Sequence, residues 1–122
     1  MPIRALAALA TAAAVAVPLT GSAFAQESAA RATVVKVTAG KPAEFHFKLS
    51  RTTVKHGKVT FVVTNGGALP HDFKIAGKRT KLLQHGKSAR LVVTFKKKGS
   101  YAYLCTVSGH AAAGMKGKLR VT

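Results

Sequence analysis

Short runs of alternating apolar and polar residues, separated by turn residues, recur from residue 33 to the end of the chain. In the run 58–64, for example, Val59, Phe61 and Val63 share one face. Successive side chains of a β-strand point to opposite faces, so each run predicts a strand with one buried face. No segment has the apolar spacing of an amphipathic helix. Strand runs with turn signals about every ten residues predict an all-β fold, a Greek-key β-sandwich of seven or eight strands, with a barrel as the alternative.

The alternation assigns eight extended segments: 33–38, 44–49, 52–54, 58–64, 71–75, 88–95, 101–105 and 117–122. In the second segment, Phe45, Phe47 and Leu49 are predicted to point inward. Glu44 in the same segment is predicted to point outward, toward solvent. The lysine-rich stretch 96–99 is predicted to be a hairpin connection between the strands on either side of it.

Residues 1–25 have the three parts of a secretory signal peptide. Arg4 supplies a short positive region, 5–19 is apolar and alanine-rich, and Ala23-Phe24-Ala25 is a cleavage motif of small residues. We therefore expect a mature domain at 26–122 that is secreted to the periplasm or outside a bacterial cell, with cell-surface association left open. An uncleaved membrane anchor is the alternative, and no later stretch is long and apolar enough to span a bilayer.

The balance of charge is strongly basic. The chain has 20 lysine and arginine residues against three acidic residues, which gives a formal net charge of +17. Such a charge attracts anionic partners, namely an acidic redox protein, a membrane surface or nucleic acid. The basic residues are spread singly along the predicted strands and gather only at 78–81 and 96–98. No nucleic-acid-binding motif accompanies them, so specific nucleic-acid binding is not expected.

The single cysteine of the chain, Cys105, is followed on one predicted loop by His110 and Met115. A lone cysteine in an oxidising compartment is a liability unless it is buried, paired between chains or bound to a metal. His71 shares its period-two face with two apolar residues, so we expect it to point inward at the start of a strand. Strand ends of this kind gather at one end of a sandwich. A thiolate, two imidazoles and a thioether are the ligand set of a blue copper site.

Each of these residues also has a simpler structural explanation. Cys105 alone would be a small buried hydrophobe, Met115 alone would be core filler, and His71 alone would be a hydrogen-bonded core histidine. Their combination favours a metal site. Zinc fits poorly, because structural zinc sites prefer more thiolates and rarely use methionine. The remaining histidines are expected at the surface: His46, His56 and His85.

Several stretches of the sequence resemble those of the cupredoxins, the superfamily of plastocyanin and azurin. They are Val59-Thr-Phe-Val-Val-Thr-Asn65, Pro70-His71-Asp72-Phe73, Gly99-Ser-Tyr-Ala-Tyr-Leu-Cys105, Gly109-His110 and Ala113-Gly114-Met115-Lys116-Gly117. The resemblance covers the predicted mature domain at the level of pattern and is most specific in its last third. It implies a protein that is not an enzyme and that carries single electrons on one type 1 copper ion. The copper ligands that it implies are His71, Cys105, His110 and Met115.

Two features depart from the best-known cupredoxins. Four residues separate Cys105 from His110, as in azurin, and four separate His110 from Met115, as in plastocyanin. This combination leaves the strength of the axial methionine bond and the reduction potential open. The residue after the first histidine is Asp72, where the family often has asparagine. We expect its carboxylate to tie down the ligand loop, at Thr106.

By the same resemblance, electrons enter and leave through His110, within an apolar patch formed by 111–113 and 66–70. Lysines around this patch favour brief docking of a monomer to an acidic redox protein, or to a membrane-associated oxidase or cytochrome. The main alternative is a copper carrier or storage protein that delivers copper to an acceptor. A redox enzyme would need a second metal site, and the spare histidines do not cluster for one. A β-sandwich interaction module without a metal is the remaining alternative.

Overall fold

In the computed structural model, which describes residues 33–122, nine strands form two sheets. The strands are β1 (Thr33–Ala39), β2 (Phe47–Leu49), β3 (Thr53–Val54), β4 (Gly57–Asn65), β5 (Lys74–Ile75), β6 (Lys78–Arg79), β7 (Ser88–Phe95), β8 (Gly99–Leu104) and β9 (Lys116–Val121). One sheet has the order β2-β1-β4-β7 and the other the order β3-β9-β8-β5-β6. The predicted all-β sandwich is confirmed, and the two-residue strand β6 is the one strand outside the eight predicted segments. The predicted signal peptide at 1–25 lies outside the described residues.

The core lies between the two sheets and is built from the inward faces that the alternation predicts. β4 shows this most clearly, since Val59, Phe61 and Val63 are fully buried while the residues between them reach the surface. Each such side chain contributes about 1.5–3 kcal/mol by leaving water. No helix within residues 33–122 is long and apolar enough to cross a membrane.

Phe73 is the aromatic centre of this core. Its ring packs against those of Phe47, Phe61 and Tyr103, with centroids 5.4, 5.3 and 5.5 Å away. Aromatic pairs at these separations contribute about 0.5–1.5 kcal/mol beyond the area that they bury. Phe73 thus packs against strands of both sheets. This packing fixes the position of His71, two residues before it, relative to the core.

Several strand ends meet at one end of the sandwich. β1 and β4 are parallel and end side by side, with Ala39 opposite Asn65. In the other sheet, β8 ends where β9 begins, with Leu104 opposite Lys116. The loops that leave these strand ends therefore converge. We call this end of the molecule the upper pole.

The predicted hairpin at 96–99 is wrong. The strand before it, β7, pairs with β4, and the strand after it, β8, pairs with β5 and β9 in the other sheet. The stretch 96–99 therefore crosses between the sheets. Alternation defines which face of a strand is buried but does not define its partner, because both sheets offer an equivalent apolar face.

Two predicted strands are shorter than the alternation indicated. The segment 44–49 is a strand only from Phe47, and Glu44 lies in the turn before it. Glu44 does not point outward to solvent as predicted, because its carboxylate turns toward the upper pole and reaches His71. The segment 71–75 is reduced to β5 and to a single bridge between His71 and Leu83.

Candidate metal centre

All four residues of the predicted site lie at the upper pole and are buried. His71 sits in its bridge with Leu83, and Cys105 is the first residue after β8. His110 lies on the loop between β8 and β9, and Met115 ends that loop. The exposed fractions are 0% for His71, 1% for Cys105, 8% for His110 and 0% for Met115. The arrangement that the sequence predicts, with two strand ends and one loop at a common pole, is therefore present.

Three of the four side chains present their donor atoms to one another. Nδ1 of His71 lies 3.1 Å from Nδ1 of His110, and the Sγ atom of Cys105 lies 4.0 and 3.6 Å from these two nitrogens. A triangle with these sides has its centre about 2.1 Å from every corner, and a first-row metal such as zinc binds nitrogen at about 2.0–2.1 Å and thiolate at about 2.3 Å. The three donors therefore surround a space of the size that a metal ion needs. Among the described residues they are the one group of histidine, cysteine and carboxylate side chains close enough to hold an ion.

Met115 joins the site through packing and through the backbone. It shares a small buried cluster with Cys105 and Ala39, separate from the main core. The backbone N–H of Cys105 donates to the carbonyl of Met115 at 3.1 Å, and the N–H of Met115 donates to the carbonyl of His110 at 3.1 Å. The two ends of the loop are thus tied together, and His110 is tied to its far end.

The loop between these ends is a series of tight backbone turns. The N–H of His110 donates to the carbonyl of Val107 at 3.0 Å, and the N–H of Ala113 donates to the carbonyls of Gly109 and His110. Gly109 has a φ of 82° and Gly114 a φ of 117°, in the region that glycine occupies without a Cβ clash. The ring of Phe45 packs edge-on against His110 with centroids 5.1 Å apart. These contacts define the orientation of the His110 ring.

The segment that carries His71 is held by Asn65 at the end of β4. The Asn65 amide is fully buried and donates to the carbonyls of Leu69 and Leu83 at 2.8 and 2.7 Å. Its carbonyl oxygen accepts from the N–H of Gly67 at 2.8 Å. His85 adds a fourth bond, since its Nδ1 donates to the carbonyl of Gly67 at 2.7 Å. The turn residues Asn65-Gly66-Gly67, which the sequence marks only as a break, therefore build a rigid support for the site.

Asp72 connects the two halves of the site. Its carboxylate accepts from the backbone N–H of Thr106 at 2.6 Å and from the Thr106 hydroxyl. The expected contact between Asp72 and Thr106 is confirmed. Asp72 follows His71 and Thr106 follows Cys105, so this contact sets the distance between two of the donor-bearing segments.

Burial controls the protonation of the donors. It raises the pKa of the Cys105 thiol, and hydrogen bonds at the backbone of Asp72 and Val107 offset this only in part. Burial also lowers the pKa of His110, and the neighbouring His71 lowers it further. The Cys105 thiol and the His110 imidazole thus favour their neutral forms. A bound cation reverses the preference of the thiol, because a coordinating thiolate is stabilised by the charge of the metal.

Glu44 is also part of this site, although the alternation predicted that it faces solvent. Oε1 of its carboxylate lies 3.1 Å from Nε2 of His71, on the side of the ring that faces away from the donor triangle. The backbone N–H groups of Leu69 and Ala68 donate to the same carboxylate at 2.6 and 3.0 Å. These two bonds are the main reason that the pKa of Glu44 lies below its usual value. The available signal was composition, because few acidic residues in so basic a chain make each one a candidate for a specific role.

The surface above the site is small and largely apolar. Ala112 and Ala113 are exposed on the ligand loop, and Leu69 across from them is 43% exposed. Gly67, which was predicted to belong to this patch, is instead buried beneath it. The other histidines lie at the surface as predicted, with His85 bonded to the loop: His46, His56 and His85.

A family model described as a cupredoxin-like domain matches residues 8–121. The copper-resistant cuproprotein CopI of Rubrivivax gelatinosus is 32% identical over 98 residues, which cover 62% of this chain and 59% of CopI. The chain therefore spans less than two thirds of the length of that relative.

Solved structures share the fold. Dithionite-reduced auracyanin from the photosynthetic bacterium Roseiflexus castenholzii matches with a TM-score of 0.63 at 22% identity, over 74% of this chain and 96% of auracyanin. Rusticyanin from Thiobacillus ferrooxidans matches with a TM-score of 0.57 at 26% identity, over 75% of this chain and 78% of rusticyanin.

Proposed function

This chain belongs to the cupredoxin-like domain family, and from that membership we propose that it is a blue copper protein that carries single electrons. In this proposal His71, Cys105 and His110 hold one copper ion and Met115 is the weak fourth ligand. The bound copper supplies a one-electron couple between Cu(II) and Cu(I). The resemblance to the cupredoxins that the sequence indicated agrees with the family match.

One observation carries the proposal, namely the buried triangle of two imidazole nitrogens and one thiol sulfur around a space of metal-ion size. Two histidines and one cysteine in a trigonal arrangement, with a nearby methionine, form the donor set that blue copper proteins use. A thiolate is a soft ligand and imidazole is borderline, so this set accommodates both oxidation states of copper.

The rigidity and burial of the site support electron transfer over catalysis. The segment that carries His71 is held by hydrogen bonds of Asn65 and His85, and Phe73, two residues further on, is anchored in the aromatic core. Ligands that stay in place when the charge of the metal changes allow fast transfer. The imidazole of His110, 8% exposed, is the side of the donor set closest to solvent, so a substrate has little access to the metal position.

The partner we propose is an acidic redox protein or a membrane-associated oxidase or cytochrome that docks over His110. The exposed alanines of the ligand loop and Leu69 supply a small apolar contact. The net charge of +17 supplies long-range attraction for an anionic partner. We further propose that the protein works as a monomer in the periplasm or outside the cell, with residues 1–25 as its signal peptide.

The first test is an absorption spectrum of the protein at 26–122 after addition of one equivalent of Cu(II). An intense visible band that is absent from Cys105→Ser is the expected result, because the band arises from thiolate-to-copper charge transfer. His46→Ala, at an exposed histidine that is not part of the donor group, is the matched control and should keep the band. The same weak spectrum for the wild-type protein and Cys105→Ser would reject the copper site.

A copper carrier is the second candidate, and the relative named copper-resistant cuproprotein CopI favours it. The two functions differ in what leaves the protein. An electron carrier exchanges electrons rapidly between its oxidised and reduced forms and retains its metal against a chelator. A copper carrier releases Cu(I) to an acceptor within the time of the experiment. Measurement of self-exchange by NMR line broadening and of copper transfer to a chelator distinguishes them.

A further inference from the structure

Two of the three acidic residues in this basic chain, Glu44 and Asp72, lie against the donor cluster. Asp72 has an evident structural role at Thr106. Glu44 comes from the turn between β1 and β2, distant in sequence from every donor, and it contacts the far nitrogen of a donor imidazole. An acid placed there in a chain of net charge +17 indicates a role that a neutral side chain would not fill.

The carboxylate of Glu44 is fixed by the backbone. Oε1 accepts from the N–H of Leu69 at 2.6 Å and lies 3.1 Å from Nε2 of His71, and Oε2 accepts from the N–H of Ala68 at 3.0 Å. Both oxygens are therefore used, and the side chain is only 28% exposed. Since these N–H groups can only donate, the arrangement requires an acceptor at both oxygen positions. A carboxylate meets this requirement and a carboxamide does not.

The backbone at Gly67 packs closely against the contact between Glu44 and His71. A Cβ at Gly67 would lie 2.7 Å from Oε2 of Glu44 and 2.9 Å from Nε2 of His71. A Cβ at Gly40 would in turn lie 2.5 Å from the Cα of Gly67. Two glycines thus allow the backbone to approach the pair of side chains from one side, so that Glu44 and His71 are held in contact.

We propose that Glu44 is a positioning residue for His71. In this proposal its negative charge, acting through the hydrogen bond to the imidazole, stabilises Cu(II) over Cu(I) and lowers the reduction potential of the copper. This inference rests on the proposed function, since it requires copper at Nδ1 of His71. Binding of a metal at Nδ1 leaves the proton on Nε2, which then donates to Oε1 of Glu44. The bond determines both the tautomer and the orientation of the ring.

The direction of the effect follows from charge. Cu(II) with one thiolate leaves a single positive charge, which the Glu44 carboxylate balances. Cu(I) with the same ligands is already neutral, so the carboxylate leaves an excess of negative charge. The carboxylate also makes the imidazole a stronger electron donor, and a stronger donor favours the more highly charged metal. Both effects favour the oxidised state.

The test is the reduction potential of Glu44→Gln, which keeps the size of the side chain, removes its charge and gives up one acceptor toward the backbone N–H groups. We expect the ratio of Cu(II) to Cu(I) affinities to fall at least about tenfold, which raises a one-electron potential by about 59 mV. Ala113→Lys is the matched control, because it makes the same change in net charge at an exposed position on the ligand loop. Its shift should be less than half as large. Equal shifts in the two variants, or no shift in Glu44→Gln, would overturn the proposal.

Two further measurements do not depend on the potential. In the diamagnetic Cu(I) form of the wild-type protein, the Nε2–H proton of His71 should give a resolved NMR signal that exchanges slowly with water. A His71 ring protonated on Nδ1 would overturn the proposal even if Glu44→Gln failed to fold. In Glu44→Ala, copper affinity measured by chelator competition should fall about 10–100-fold, as for other residues that orient a ligand.

Failure of the proposed function has a different signature. A wild-type protein with no thiolate–copper band has no blue copper site, whatever the behaviour of the Glu44 variants. If wild-type and Glu44→Gln both show a normal absorption band and have the same reduction potential, only the proposed role of Glu44 is rejected.

Discussion

The carboxylate of Asp72 accepts hydrogen bonds from both the backbone N–H and the hydroxyl of Thr106, 34 residues away. Each residue directly follows a donor of the candidate metal centre, so the contact joins the His71 and Cys105 segments. It is a connection between the two segments that does not depend on a metal. The stability of the metal-free protein should therefore depend on it.

Replacement of Asp72 tests this connection. Asp72→Ala should lower the free energy of unfolding of the metal-free protein by about 2–3 kcal/mol, because a buried, charged acceptor is lost and the Thr106 N–H keeps no partner. Asp72→Asn should lower it by less than about 1 kcal/mol, since the amide oxygen still accepts from the N–H and its NH₂ can donate to the hydroxyl. Urea unfolding provides the measurement. Equal losses in both variants would mean that the contact contributes through packing alone.

Gly67→Ala should disturb the site without disturbing the core. The added methyl group would overlap both Glu44 and His71, so we expect copper affinity to fall at least about tenfold and the visible band to shift. Gly66→Ala is the control, because the nearest atoms to its methyl group would be side-chain atoms of Lys41 and Thr38, at 3.3 Å, and not Glu44 or His71. Chelator competition and absorption spectra compare the two. Similar behaviour of both variants would indicate a general intolerance of the turn.

The metal-free protein should lose stability as the pH falls below about 6.5, through protonation of His110. Burial lowers the pKa of His110 in the folded state, so the unfolded chain binds more protons in this range. The stabilisation is present above the unfolded pKa of about 6.5 and is lost as the pH falls through the folded pKa. Urea midpoints across this range should fall for wild-type and for the exposed-residue control His46→Gln, and should be flatter for His110→Gln. A profile for His110→Gln identical to that of wild-type would contradict the assignment.

Charge near the upper pole should set the rate of electron transfer to an acidic partner. Lys41, beside the turn at Gly66, and Lys116, next to Met115, lie at this pole, whereas Lys58 and Lys98 lie at the opposite ends of their sheets. Lys41→Glu with Lys116→Glu should slow second-order transfer about tenfold or more at low ionic strength and weaken its dependence on salt. Lys58→Glu with Lys98→Glu makes the same change in net charge and should have a smaller effect. Stopped-flow rates over a range of salt concentrations test this, and equal effects would place docking away from His110.

Local patterns explain why much of the fold was predictable. Period-two alternation depends only on which side chains are apolar and are therefore removed from water. The predicted buried faces of β4 and β7 accordingly agree with the structure. The same reasoning placed His71 inward and the ligand loop after Cys105. It failed at 96–99, where two strands adjacent in sequence belong to different sheets. Pairing between strands depends on which apolar faces meet across the sandwich, and alternation does not predict which strands become partners.

The amino-acid sequence by itself determined that the fold is all-β, which faces of its long strands are buried and which four residues are candidates for the site, because hydrophobic periodicity and metal affinity belong to local residue types. Only the tertiary structure decided that the three donor atoms form a triangle of the size that surrounds one metal ion. It also decided that Glu44, predicted to face solvent, contacts His71 instead. The physical reason is that a turn reverses the direction of a side chain within one or two residues. The partner of a polar group is therefore determined by the loops and sheets that pack around it, which no short stretch of sequence encodes.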